Sequence, residues 1–156
     1  MTPSDGTDSG DYMEATVSIG NGTPTISSVT LSPSSVYTND IITATISASD
    51  PDGDPLSYTW EWYVDSGTGP VLAVSNTSTS MADTLDGVYH FDKDDLVSVS
   101  VIASDGSASD TMTSASQTVL NSAPSAFNVL ITPVAPVAGL DDLLCSAQDS
   151  DADGDS

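Results

Sequence analysis

Three aspartates alternate around a glycine in Asp50-Pro51-Asp52-Gly53-Asp54, and the pattern returns as Asp151-Ala152-Asp153-Gly154-Asp155. Carboxylates this close repel: a pair about 4 Å apart costs roughly 1 kcal/mol in water and about 4 kcal/mol at a protein-surface dielectric. A hard cation with oxygen ligands removes that cost, and Ca²⁺ is the usual one outside cells. The glycine supplies the bend that turns carboxylates and backbone carbonyls toward one point. The run Asp149 to Gly154 also matches the opening of a helix-flanked Ca²⁺ loop. The first copy rejects that reading. In the same frame its first ligand position is Ala48 and its last is Thr59, where a bidentate Glu is required. Pro51 and the strand-like flanks also deny the two helices. The competing reading is that Asp-Gly and Asp-Pro pairs simply make good turns.

Other chemistry is poorly supplied. His90 is the only histidine and Cys145 the only cysteine, too few for a zinc site or a catalytic triad, so catalysis is not expected. A single cysteine allows no intrachain disulfide, and Cys145 reads as a small buried apolar side chain in a strand. Asn21-Gly22-Thr23 and Asn76-Thr77-Ser78 fit the glycosylation triplet, making Asn21 and Asn76 candidate acceptors, although Thr/Ser-rich chains produce such triplets by chance.

The charge balance narrows the partners. The chain has 156 residues and 23 acids against one base, Lys93, for a formal charge of −22. All the acids but Glu14 and Glu61 are Asp, which favours turns and disfavours helix interiors. The acid therefore punctuates strands. Such a charge argues against nucleic acid and anionic membrane as partners. No apolar run approaches the roughly 18 residues that span a bilayer, and no basic-then-apolar signal follows Met1. If the protein is secreted, its signal is expected outside this chain. Residues 1–11 are expected to be disordered.

The elements that must hold the acidic loops repeat with them. Asn21-Gly22-Thr23-Pro24 corresponds to Asn121-Ser122-Ala123-Pro124, and Val29, Leu31 and Pro33 to Val129, Ile131 and Pro133. Ile42, Ala44 and Ile46 then match Leu143, Cys145 and Ala147 after a one-residue insertion in the intervening turn. Val17-Ser18-Ile19 resembles Gln117-Thr118-Val119. The chain accordingly reads as a tandem repeat of about 100 residues. Residues 12–20 are the last strand of a preceding module, 21–120 a complete module, and 121–156 the start of a truncated one. Apolar residues in the complete module alternate with period two. Strands are predicted over 26–32, 40–48, 56–64, 70–75, 79–84, 87–91, 96–103 and 111–119. Tyr58, Trp60, Trp62 and Val64 share one face, as do Val97, Val99, Val101 and Ala103. Many short strands with turn signals between them predict an all-β, antiparallel two-sheet sandwich. The Trp face is expected to pack in its core; the alternative is an open aromatic platform for sugar rings.

The run Asp50-Pro51-Asp52-Gly53-Asp54-Pro55-Leu56-Ser57-Tyr58-Thr59-Trp60 resembles the Asp-x-Asp-Gly-Asp-x-Leu-x-Tyr-x-Trp signature of PKD-like and cadherin-like immunoglobulin-fold repeats of bacterial and archaeal surface proteins. Residues 91–99 and Ala103-Ser104-Asp105-Gly106 are similar to the same repeats further along. The chain departs from the best-known PKD pattern after Trp60, where Glu61-Trp62-Tyr63-Val64-Asp65 replaces Asp-Phe-Gly-Asp-Gly. The resemblance implies an Ig-like sandwich in an extracellular or cell-surface protein. In that fold the loop after the second strand, the loop before the last strand and the incoming linker share one end. Asp50, Asp52, Asp54, Asp105 and Asn21 are then the candidate ligands of a weak junctional Ca²⁺. Asp151, Asp153 and Asp155 make a partial second site. The expected function is a non-catalytic structural or adhesive segment, its partners being neighbouring modules, other copies of itself or surface glycans. Two alternatives remain: a filament subunit assembled by strand addition between chains, and a carbohydrate-binding accessory module of a secreted enzyme.

Overall fold

A computed structural model describes residues 2–11 and 13–154. Period-two burial sets its longest strands. In β4 (Ser57–Asp65) Tyr58, Trp60, Trp62 and Val64 turn inward; in β7 (Leu96–Ser104) Val97, Val99, Val101 and Ala103 do the same. The two strands pair antiparallel with Trp60 opposite Val101 and Trp62 opposite Val99. Each indole thus lies on a β-branched neighbour, the kind of cross-strand pair that stabilises a sheet.

Around this pair the strands form two sheets. One has the order β1-β3-β6, from β1 (Thr25–Ser32), β3 (Ile41–Ser49) and β6 (Ala82–Asp86). The other runs β2-β9-β7-β4-β5, where β2 is Val36–Tyr37, β9 is Gln117–Leu120 and β5 is Val71–Ser78; β8 (Ser109–Thr113) also pairs with β7. All of these pairings are antiparallel except that of β2 with β9. Ile26, Ile42, Ala44, Ile46 and Leu85 from the smaller sheet join the Trp–Val face of the larger in a single buried cluster. Burial of such surface is the main favourable term in folding. The chain is thus nearly all β, with antiparallel sheets closing on one core, as a sandwich requires. Both Trp residues are fully buried, so they form core and not an exposed sugar platform.

Three local expectations are corrected. Residues 87–91 were expected to be a strand, but Gly87–His90 is one helical turn, α1. The Asp86 carboxylate caps it by accepting the Val88 N–H at 3.0 Å. A Cβ at Gly87 would lie 2.6 Å from the Phe91 ring and 2.7 Å from the Asp40 carbonyl oxygen, so the close approach needs glycine. The single strand expected at 111–119 is broken into β8 and β9. At Ser114 the backbone N–H donates to the Val99 carbonyl while the hydroxyl accepts the Val99 N–H, so one side chain replaces a ladder partner. Cys145 is exposed, not buried.

That cysteine lies in a separate hairpin of β10 (Ser125–Thr132) and β11 (Leu144–Ser150), opposite Ile131. Apolar residues of this segment, including Val129, Ile131 and Leu143, are exposed. A further expectation fails: the strand predicted over 12–20 is not formed by the described residues 13–20, where Val17 and Ile19 are exposed and have no sheet to pack against. Residues 2–11 hold a turn in which Gly10 N–H bonds the Pro3 carbonyl at 2.8 Å.

Candidate metal centre

Strand register brings the acidic loop, the β7–β8 turn and the incoming linker to one end of the core. Thr25 at the start of β1 faces Ser49 at the end of β3, and Ser57 at the start of β4 faces Ser104 at the end of β7. The Asp110 carboxylate accepts the Ile26 N–H at 2.8 Å and ties β1 to β8 at this end.

Asp50 organises the loop. Its Oδ1 accepts the backbone N–H groups of Asp52 at 2.8 Å and Asp54 at 3.2 Å. Gly53 takes a left-handed conformation at φ +79° and donates to the Asp50 carbonyl at 3.3 Å. A residue with a Cβ is disfavoured there. The result is a tight coil whose three carboxylates offer oxygens all within 4.8 Å of one another. Two oxygens on opposite sides of a Ca²⁺ ion are about 5 Å apart, so the cluster fits the first shell of such an ion. One of those carboxylates keeps a free acceptor out of water: Asp50 Oδ2 is buried and has no hydrogen-bond partner. Buried polar atoms are almost always paired, and an unpaired one is costly. A cation can satisfy it. Among the described residues this is the only cluster of its kind.

Asn21 and Asp105 meet at the same end but bond each other. Asn21 Nδ2 donates to Asp105 Oδ2 at 3.0 Å. Asp105 Oδ1 accepts the Ser107 and Ala108 N–H groups at 2.6 and 2.7 Å. The link to the acidic loop is Gly22, whose N–H donates to Asp52 Oδ2. Linker, acidic loop and β7–β8 turn are thereby clasped, with one oxygen of Asp50 and one of Asp52 already in use.

These bonds also set an acid response. The Asn21 amide first, then the Ala108 and Ser107 N–H groups, hold the Asp105 carboxyl below its ordinary value of 3.8. A group depressed in the folded state stabilises it above the unfolded pKa and loses that contribution as pH falls through the folded pKa. The clasp at Asp105 should therefore survive acid that protonates ordinary aspartates. Asn21→Ala removes the largest cause, and the Asp105 titration, followed by carboxyl NMR, should move up. An unchanged midpoint would show that Asn21 does not bond Asp105 in solution.

The second acidic loop repeats the geometry. Asp151 Oδ1 accepts the Asp153 N–H at 2.8 Å, Gly154 has φ +72°, and the Ser122 N–H donates to Asp153 Oδ2. Asn121 Nδ2 bonds the Ser122 carbonyl at 2.7 Å, as Asn21 Nδ2 bonds the Gly22 carbonyl at 2.6 Å. Asp155 lies outside the described residues.

The remaining candidates are placed elsewhere. Asn76 is exposed in β5, and its Nδ2 bonds Asp83 Oδ1 at 2.7 Å. Asp83 Oδ2 accepts the Trp62 indole N–H at 2.9 Å. His90 ends α1 and stands edge-on to Tyr89, 6.4 Å between ring centroids. Sequence reasoning missed Gly22, Ser122 and Asp83. The first two were detectable from their shared place between Asn and the residue pair ending in Pro; Asp83 carried no signal. No known protein-family model matches the chain, and no curated protein sequence matches it. No helix among the described residues is long and apolar enough to cross a membrane.

Proposed function

We propose that residues 21–120 are an Ig-like module of PKD-like or cadherin-like type in an extracellular tandem array, where Ca²⁺ at Asp50, Asp52 and Asp54 stiffens the junction with the preceding segment. The protein is then structural or adhesive and catalyses nothing. The observation that carries this reading is the clasp itself. The acidic cluster also holds the linker, because Asp52, one of its three carboxylates, accepts the Gly22 N–H at Oδ2. An ion that fixes the Asp52 carboxylate also fixes Gly22.

Further support comes from strand order. One sheet of β1-β3-β6 and another of β9-β7-β4-β5, with the chain passing between sheets after β1, agree with the immunoglobulin-like arrangement. The second loop, clasped by Ser122 as the first is by Gly22, supports the tandem reading. Extracellular modules commonly bind Ca²⁺ with dissociation constants of about 10⁻⁴–10⁻³ M, so weak binding suffices.

Hydrogen exchange tests the coupling. Saturating Ca²⁺ should slow exchange of the Gly22 amide and of the neighbouring linker amides about as much as those of the acidic loop. Protection of residues 50–54 with none at Gly22 would leave an ion site that does nothing at the junction.

A further inference from the structure

Asn21 and Gly22 carry a chemistry that the clasp alone does not use. In an Asn-Gly pair the glycine nitrogen can attack the side-chain carbonyl carbon of the asparagine, since no Cβ on the second residue blocks the approach. Three contacts bear on that reaction. Asn21 Nδ2 bonds the next carbonyl, Gly22 O, at 2.6 Å, so the side chain is folded over its own C-terminal peptide, where a five-membered ring closes. The attacking nitrogen gives its proton to Asp52 Oδ2, a carboxylate and not a neutral carbonyl. The leaving nitrogen faces a second carboxylate, Asp105 Oδ2, at 3.0 Å. A Cβ at Gly22 would stand 3.1 Å from Asp52 Oδ2 and from the Pro51 ring, a tight contact that glycine avoids.

We propose that Asn21 is a self-modifying residue: the Gly22 nitrogen closes on the Asn21 side chain with Asp52 as proton acceptor, and the product unlocks the linker from the module. The bond from Gly22 N to Asn21 Cγ forms as the amide proton passes to Asp52. The Cγ–Nδ2 bond breaks, Asp52 returns the proton, and the nitrogen leaves as ammonia. Water then opens the cyclic imide at either carbonyl and leaves aspartate or isoaspartate at position 21. No electrons are exchanged, and Asp52 ends as it began.

The consequence follows from hydrogen-bond inventory. An ionised carboxylate only accepts. Asp105 retains its bonds from Ser107 and Ala108, so a carboxylate at position 21 meets another carboxylate where a donor stood. The bond that held the linker becomes a repulsion. The change is irreversible and needs no ion, so it marks the age of the molecule at its junction.

The chain contains its own reference. Asn121 is folded over the Ser122 peptide in the same way, and Ser122 N–H bonds Asp153 Oδ2. There the attacking residue carries a Cβ, and no counterpart of Asp105 faces the leaving nitrogen among the described residues. The full chain is incubated at mildly alkaline pH, natively and in urea, and conversion at Asn21 and Asn121 is followed by peptide mass spectrometry with isoaspartate detection. Asn21 should convert about tenfold faster than Asn121 in the folded chain, a difference equivalent to about 1.4 kcal/mol in barrier. Asn21 should also convert faster folded than unfolded, and Asp52→Asn should remove that advantage. Equal or slower conversion in the folded chain overturns the proposal, because Asp52 then shields the amide instead of accepting its proton. Converted protein, separated by charge, should exchange the Gly22 amide faster than unconverted protein; equal exchange would overturn the unlocking.

Discussion

Trp62→Ala and Trp60→Ala should each destabilise the protein by about 3–5 kcal/mol, the cost of emptying a large buried aromatic site. Domains of this size are stable by only about 5–15 kcal/mol, so either variant sits near the folding threshold. Both indoles are fully buried within one cluster, and each stands opposite a valine in the β4–β7 pairing. The phenylalanine variants separate the two positions. Trp60 Nε1 is buried with no hydrogen-bond partner, whereas Trp62 Nε1 donates to Asp83. Trp60→Phe therefore sheds an unsatisfied donor along with some packing. Trp62→Phe loses a charge-assisted bond and leaves an Asp83 oxygen short of a partner, a penalty of about 1–3 kcal/mol. Urea denaturation should rank Trp62→Phe below Trp60→Phe in stability. Equal midpoints would mean that the Trp62–Asp83 bond contributes nothing.

The same burial shows why the core was legible in the sequence. Alternation in 57–65 and 96–104 is a statement about faces, and in a two-sheet protein a face is either core or solvent. The hairpin of 125–150 repeats the alternation without a covering sheet, so its inward set, Cys145 included, is exposed. Pattern alone cannot say whether the layer that covers a face is present. The misread segments fail for local reasons. Asp86-Gly87 caps a helical turn because the Asp86 side chain reaches Val88 N–H and Phe91 fills the space a Cβ would need. Ser114 imitates a backbone partner with its hydroxyl. The helical turn is set by contacts two and four residues apart that alternation does not register; Ser114 needs a partner outside its own segment, Val99, 15 residues away.

The site was legible in kind and less so in wiring. The spacing of Asp50, Asp52 and Asp54 announced convergent carboxylates, and the structure gathers them. It places Asn21 and Asp105 at the same end as well, but bonds one to the other and to nearby backbone groups. Spacing gives proximity; it does not give the assignment of each lone pair. Gly22 illustrates the difference: it has no side chain to attract notice, and its N–H is what joins linker to loop.

Adding about 10 mM Ca²⁺ should raise stability by about 1.4–2.7 kcal/mol, the linkage expected for dissociation constants of roughly 10⁻³–10⁻⁴ M. For a domain of about 100 residues that is a rise in melting temperature of at least about 6 °C. A charge of −22 would let any cation stabilise the fold by screening, so the control is Mg²⁺ at equal ionic strength. Mg²⁺ demands octahedral oxygens at about 2.0–2.1 Å and gives up its water reluctantly, which a loop of three carboxylates does not compensate. Asp54→Asn is the informative variant. The Asp54 carboxylate is exposed, and the loop's turn is held instead by the Asp50 carboxylate and the Asp54 backbone N–H, so the change removes one charge while leaving those bonds in place. Without an ion it relieves repulsion from Asp50 and Asp52 and should melt higher than the wild type. With Ca²⁺ the order should reverse, because the variant has lost a charged ligand and gains less from the ion. Screening predicts no such crossing, since it would stabilise both chains alike and Mg²⁺ would serve as well as Ca²⁺. Parallel shifts in the two proteins, or equal shifts from the two ions, would leave the acidic loop as a turn and nothing more.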